Sequence, residues 1–432
     1  MTTYDTYKPS GIDWIGDIPE HWKVKRLKYC ISINDETLSE TTDEDFEINY
    51  VEIGDVNYLT GISNFTTYSF KEAPSRARRI VKDGDVIVST VRTYLKAIST
   101  VKKPIENLIV STGFAVLRRK SIESGFLGYF TLSPFFINET ISNSVGVSYP
   151  AINSSYIGEF LIALPDKNEQ TVIATYLDRK TAEIDHIIAN KQKLIALYEE
   201  EKQTIINQAV TRGVDKTVKL KPSGVEWLGD IPEQWEVMKL KWISKVRYGL
   251  GQPPKEKSDG LPIIRATNVF RGRIDTNNLV FVDPDDVPYD RDPILKENDI
   301  IVVRSGAYTA DSTIIPKEFE GSVTGYDMVV RCDSKVNPVF ISKCLLSNYV
   351  LKMQLLAHTL RAAQPHLNRE ELNETIILFP PFVEQQTIVA HIETECSRLD
   401  TLIEKFKKQI ELFQEYRTTL ISEVVTGKVK VY

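Results

Sequence analysis

The sequence offers little from which to build a catalytic centre. Its 432 residues include four cysteines and five histidines. Cys30, Cys332, Cys344 and Cys396 are scattered with no CxxC spacing, which argues against both a disulfide framework and a zinc knuckle. His21, His186, His358, His366 and His391 never form HxH, HxxxH or HExxH, so a zinc site would need ligands gathered from distant segments. There is no GxxxxGK followed by Ser or Thr, no GxGxxG after a strand, and no GxSxG. The Asn/Asp-Pro-Pro-Tyr/Phe stretch with which amino-methyltransferases hold a target base is also missing. Gly249-Leu250-Gly251-Gln252 comes nearest to a phosphate loop, but Pro253-Pro254 lack the N–H groups with which a following helix N-terminus would hold a phosphate, and the stretch reads as a plain loop. No run of about 18 apolar residues occurs, so no membrane-spanning helix is expected. Met1–Asp5 has neither the basic start nor the apolar stretch of a secretory signal, and a cytoplasmic location is expected.

A strong charge of one sign is absent too. Lys and Arg number 53 against 59 Asp and Glu, a formal net charge of −6, which speaks against a simple basic nucleic-acid binder. The distribution qualifies this. Residues 1–163 carry 17 basic and 20 acidic side chains, and seven of the acids fall in Asp35–Glu47; without them the balance is 17 − 13 = +4. Residues 216–378 carry 22 of each. Neither region is strongly basic, so tight binding to DNA would need a partner that adds phosphate contacts.

What the chain does have is a duplication. Residues 8–28, KPSGIDWIGDIPEHWKVKRLK, align with residues 221–241, KPSGVEWLGDIPEQWEVMKLK, with 14 of 21 positions identical at an offset of 213. Ser111-Thr112-Gly113-Phe114 matches Val323-Thr324-Gly325-Tyr326, and Tyr149-Pro150-Ala151-Ile152-Asn153 matches Gln364-Pro365-His366-Leu367-Asn368. Leu164-Pro165 with Glu169-Gln170 answers to Phe379-Pro380 with Glu384-Gln385. The offset stays within 212–215, far longer than a solenoid period, so two tandem domains are expected and not an array.

Each unit has two parts. Residues 1–163 and 216–378 alternate short β-branched and aromatic runs with Gly, Pro, Asn and Asp; the runs after Asp85 and Asp299 read as strands, and residues 125–143 and 339–356 as helical. In 168–212 and 383–427 the period changes. Ile184, Lys191, Tyr198 and Ile205 recur every seven residues, as do Leu399, Phe406, Phe413 and Leu420, and no Pro or Gly intervenes before Gly213 and Gly427. That predicts two long amphipathic helices with a coiled-coil seam, each about 60 Å long at 1.5 Å per residue. Packing them on one another is the economical way to cover their stripes; a bundle with another subunit is the alternative.

Residues suited to DNA contact lie in the regions where the copies differ most. Arg76, Arg78 and Arg79 cluster in the first copy, ahead of Arg92 and Tyr94 after a strand. Arg265, Asn268, Arg271 and Arg273 cluster in the second, ahead of Arg304 and Tyr308. Arg can hold guanine and Asn adenine through paired hydrogen bonds, while Tyr and Ser position phosphates. Both clusters are expected to occupy comparable places. The loops before the shared prolines add Ser144, Ser148 and Tyr149 in one copy, Arg361 and Gln364 in the other. For any one of these charges a solvated surface is the simpler reading. A magnesium-nuclease pattern can be assembled from Pro284-Asp285 with Asp333-Ser334-Lys335, or Pro165-Asp166 with Glu200 and Lys202. Such short patterns are common by chance, and the first has no match in the other copy.

The two KPSG(I/V)(D/E)W(I/L)GDIPExW boxes, the Tyr149–Asn153 and Gln364–Asn368 loops and the paired helix starts resemble, over the whole chain, the specificity subunit of type I restriction–modification enzymes. The resemblance implies an α+β chain with two pseudo-symmetric α/β target recognition domains, 1–163 and 216–378. A pair of long antiparallel coiled-coil helices, 164–215 and 379–432, separates them, sets the unread spacer and docks partners. It implies a chain with no catalytic site or cofactor of its own, each recognition domain reading one half of a bipartite site on double-stranded DNA. Two modification (methyltransferase) subunits would carry S-adenosylmethionine, and restriction subunits the ATP- and Mg-dependent translocation and cleavage. Two other readings stay open: a nuclease using Asp285, Asp333 and Lys335, or a coiled-coil scaffold with no DNA role.

Overall fold

The computed structural model describes residues 2–359 and 365–431. The chain forms two compact units, Met1–Lys191 with Lys407–Tyr432, and Gln192–Phe406, so each unit takes part of both long helices.

Each unit is built on the same antiparallel four-stranded sheet. In the first the strands are β1 (Ile31–Ile33), β2 (Val86–Ser89), β3 (Ile98–Thr100) and β4 (Phe114–Arg119), in the order β3-β2-β4-β1. In the second they are β5 (Ser244–Tyr248), β6 (Ile300–Val302), β7 (Ser312–Ile314) and β8 (Met328–Cys332), in the order β7-β6-β8-β5. The uninterrupted apolar runs of β2 and β6 follow from burial on both faces. Val86 and Val88 enter a large core with Trp22, Phe126 and Phe136, while Ile87 joins Val51, Val110 and Val116 on the other side. Ile300 and Val302 pack with Trp235 and Phe340, and Ile301 with Ile264 and Val329. A second sheet covers the far face. In it Leu108–Ser111 runs parallel to Glu47–Val51, and Val323–Thr324 parallel to Glu256–Ile264.

The repeated motifs are the fasteners of this frame. In each box the strand carrying Lys-Pro pairs with the strand carrying Asp-Ile-Pro (Tyr7–Pro9 with Asp17–Pro19; Leu220–Pro222 with Asp230–Pro232). The serine between them turns the chain: the Ile12 and Val225 amides donate to the Ser10 and Ser223 hydroxyls. Gly11 and Gly224 then take positive φ (+73° and +77°), where a Cβ would be strained. The second tryptophans, Trp22 and Trp235, are fully buried. Asp85 receives a two-pronged hydrogen bond from Arg118 (Nη2 2.8 Å, Nε 3.0 Å), and Asp299 the same from Arg331 (2.7 and 2.8 Å). The Glu-Gln pairs are explained by their glutamines. Gln170 Nε2 donates to the Pro165 carbonyl and its oxygen accepts from the Glu123 amide; Gln385 does the same with Pro380 and Asn337.

The change of period marks α1 (Lys167–Arg212) and α2 (Phe382–Val425). In the first unit Leu177 and Ile184 share a core with Leu420, Ile421 and Val424; Asp185 pairs with Arg417 at 3.1 Å, and Lys191 Nζ donates to Gln409 at 2.7 Å. In the second unit Tyr198 stacks on Phe406 (centroids 5.9 Å apart, 6° between planes), Lys202 pairs with Asp400, and Ile206 and Val210 meet Ile388 and Ile392. Within each unit ascending positions on α1 meet descending positions on α2, so the helices pack antiparallel along the heptad seam. The fold is α+β with two like units.

Candidate nucleic-acid interface

The loop leaving the central strand occupies the same place in both units, and the shared Pro-containing segment is sewn to it. In the first unit the Ile152 amide donates to the Thr90 carbonyl (2.9 Å) and the Arg92 amide to the Pro150 carbonyl (2.8 Å). In the second the Leu367 amide donates to the Arg304 carbonyl (2.8 Å), and Thr309 Oγ1 to the Pro365 carbonyl (3.2 Å). The asparagine ending each segment caps a short helix: Asn153 Oδ1 accepts from the Ser155 amide, Asn368 Oδ1 from the Glu371 amide. These caps explain why the asparagines recur. The neighbouring residues are left free to differ.

The loop presents an arginine against aromatic rings. Arg92, at φ +50°, lays its guanidinium 4.8 Å from the Tyr149 ring centroid, and Tyr94 beside it is exposed. Ser144 lies under the same loop, its hydroxyl 2.8 Å from Thr93 Oγ1 and donating to the Thr140 carbonyl; Ser148 is exposed. Arg304 is held more firmly. Its guanidinium lies 4.4 Å from the Tyr248 centroid and 4.3 Å from that of Tyr326, with Nη2 3.4 Å from His366 Nε2. Tyr308 packs edge-on against Phe270, centroids 6.2 Å apart. A cation held between rings keeps its outward N–H groups oriented at reduced entropic cost. Beneath Arg304, the buried Asp327 accepts the Arg304 amide on Oδ1 at 3.2 Å. Burial raises the Asp327 carboxyl to about 6, against the pull of Arg304.

The other predicted residues lie elsewhere. Arg76, Arg78 and Arg79 fall on or beside the strand Ala77–Ile80 of the second sheet. Arg76 is exposed, Arg78 covers the Phe70 ring at 4.5 Å, and Arg79 Nη1 donates to Thr37 at 3.3 Å. Arg265 and Asn268 bracket a 3-10 turn. The expectation that the two clusters occupy comparable places is corrected here. The counterpart of the 265–274 turn and hairpin is 52–62, where the same turn is closed by Glu52 and Asp55. Asn268 is also corrected as a base reader: it is fully buried, accepting from the Arg265 amide and donating to the Asp275 carbonyl. Arg265 Nη2 donates to the Asn278 carbonyl, while Arg271 and Arg273 are exposed. Arg361 and Gln364 lie outside the described residues.

The nuclease pattern is dispersed into local roles. The Asp285 amide donates within its own turn to Asp283, the Asp333 amide donates to the Ile243 carbonyl, and Lys335 is exposed. Asp166 accepts the Glu169 amide at the start of α1, and Lys202 pairs with Glu199 and Asp400. Among the described residues no three His, Cys, Asp or Glu side chains are grouped to hold a metal, and no helix is long and apolar enough to cross a membrane. Sequence reasoning missed Tyr248, Tyr326 and Asp327 as parts of the Arg304 site. Tyr326 was visible as the residue after the repeated Thr-Gly; Tyr248 and Asp327 carried no pattern.

Comparison with known proteins follows the same outline. A family model, the type I restriction modification DNA specificity domain, matches residues 19–196 and again 232–412. The MjaVIII specificity subunit of a type I restriction enzyme from Methanocaldococcus jannaschii is 24% identical, covering 96% of this chain and 94% of its own. The EcoKI specificity subunit of Escherichia coli is 22% identical over 72% of this chain and 67% of its own. Among solved structures, a chain from work on assembly and conformational transition of the type I R-M system matches with a TM-score of 0.74 at 19% identity, covering 95% and 99%. The HsdS subunit from Thermoanaerobacter tengcongensis matches with a TM-score of 0.52 at 21% identity, covering 95% and 98%.

Proposed function

The chain belongs to the type I restriction–modification DNA specificity family, and on that premise we propose that it is the non-catalytic sequence reader of such a complex. The observation that supports this best is the recurrence, on two copies of one frame, of a loop that differs in sequence yet offers an arginine on aromatic rings at the same place. A duplicated frame suits two copies of one partner, and divergent loops suit two different half-sites on a duplex. In this reading residues 1–163 and 216–378 are the recognition domains. Segments 164–215 and 379–432 dock two methyltransferase subunits and set the unread spacer. Arg92 with Tyr94, Ser148 and Tyr149 faces the first half-site; Arg304 with Tyr308, Arg271 and Arg273 faces the second. Arg76, Arg78, Arg79 and Arg265 support the phosphates, and Ser144 positions the loop. S-adenosylmethionine, ATP and Mg belong to the modification and restriction subunits, and the complex works in the cytoplasm.

Methylation-sensitive sequencing of a host genome with and without this chain tests the proposal. The expected result is a bipartite methylated motif that appears only with the chain. Identical methylation in both hosts contradicts it. Loss of all activity with Asp333→Ala would favour a nuclease, and a complex indifferent to DNA sequence a scaffold.

A further inference from the structure

Val147 and Val145 are the two most exposed large apolar side chains among the described residues, at 103% and 81% relative exposure. They are not on a loose tail. The Val145 and Ala151 amides donate to each other's carbonyls at 2.9 and 3.0 Å, which closes a small hairpin around them. Gly146 between the valines takes φ +121°, and a Cβ there would come within 3.1 Å of the Tyr149 carbonyl, so the tip is a tight turn only glycine makes comfortably. The base of the hairpin is pinned by Ser144 to Thr93 and Thr140, on the Arg92 loop. Two branched apolar groups are therefore held out in water beside a guanidinium and two exposed tyrosines, Tyr94 and Tyr149.

Resting on the DNA-reading function proposed above, we infer that Val145 and Val147 are specificity-determining residues that contact the 5-methyl groups of thymine in the major groove of the first half-site. The flanking Arg92 and tyrosines suit a polyanionic duplex and position the tip against it. Thymine alone presents an apolar group on the base edges of the major groove, and apolar side chains read it by contact. Valine fits this role better than that of a wedge between base steps. Wedges are typically longer side chains such as Leu, Phe or Met, whereas a methyl contact needs only van der Waals approach.

The test uses the full chain in complex with its modification subunits, and a duplex carrying the site methylated in cells that express the chain. Each thymine of the first half-site, on either strand, is replaced in turn by uracil, which removes only the methyl group, and affinity is measured by fluorescence anisotropy. At one or two positions uracil should weaken binding about four-fold per methyl lost, the worth of one buried apolar carbon. In the Val145→Ser, Val147→Ser double variant, whose changes are on exposed side chains, thymine and uracil should bind alike. Uracil that leaves the wild type unaffected everywhere, an unchanged loss in the variant, or a first half-site made only of G·C pairs overturns the inference. A wild-type complex that does not prefer the site to a scrambled duplex overturns instead the DNA-reading function beneath it.

Discussion

The two units agree in their frame and disagree in their loops, and the disagreements are chemical. The turn bracketed by Glu52 and Asp55 in the first unit is bracketed by Arg265 and Asn268 in the second; the Glu52 amide donates to the Asp55 carboxylate in one and the Arg265 amide to the neutral Asn268 side chain in the other. Phe114 and Ala115 of the first unit answer to Tyr326 and Asp327 of the second, so a purely apolar stretch becomes an aromatic clamp with a buried acid. By contrast Asp85 with Arg118 and Asp299 with Arg331 are nearly superimposable in their bonding. A duplicated chain keeps the interactions that hold its sheets and varies those that its sheets merely present.

That division can be broken or sharpened by mutation. The largest effect is expected at the shared pair. Asp85→Ala and Asp299→Ala each take the buried carboxylate from a partly buried guanidinium, leaving only Glu36 beside Arg118 and Asp292 beside Arg331, and also free the Lys82 and Lys296 amides; each should cost about 3 kcal/mol in urea unfolding. A large loss in one unit and none in the other would mean that the frames are not equivalent.

Next comes Asp327. An acid whose folded pKa is raised to about 6 binds more protons native than unfolded, so the second unit loses stability as pH climbs from about 4 to about 6 and regains it on acidification. Charging this carboxylate costs up to roughly 3 kcal/mol above that window, at about 1.4 kcal/mol per unit. Asp327→Asn should therefore raise the thermal midpoint at pH 8 and lose this advantage progressively as pH falls from about 6 to about 4. A pH-independent difference would remove the buried acid from the account.

Smaller effects separate the half-sites. Arg304→Ala should weaken discrimination at the second half-site by about 1–3 kcal/mol, and Arg92→Ala at the first, each without altering the other, as read by competition binding. The smallest lies in the boxes. Trp22 Nε1 donates to Glu169 at 3.2 Å, whereas Trp235 Nε1 has no hydrogen-bond partner among the described residues. Trp22→Phe should thus cost about 1 kcal/mol more than Trp235→Phe in unfolding experiments.

The sequence made the frame legible because repetition filtered it. The turn serines, the capping asparagines and the paired glutamines recurred because each holds backbone in place, and the second tryptophans because each fills a core. The helices were legible because a seven-residue period survives over forty positions, and the seam residues Ile184, Tyr198 and Phe406 are where contact occurs. The site was legible only in part. Arg92 and Arg304 could be placed because they follow recognisable strands, but the likeness of the clusters at 76–79 and 265–273 misled about their equivalence. Proximity in sequence there records a tight turn and hairpin, and the equivalent turn in the other copy bears the acids Glu52 and Asp55. The Tyr248 ring reaches Arg304 from the end of β5, a contact of tertiary origin that no local pattern announces.

The central claim is that each unit is a separate reader on a common frame. Its most direct test replaces residues 45–160 with the matching segment of a family member of different specificity, followed by sequencing of the methylated sites. The account predicts a new first half-site with the second half-site and the spacer unchanged. A change in both half-sites, or in neither while methylation persists, would contradict it.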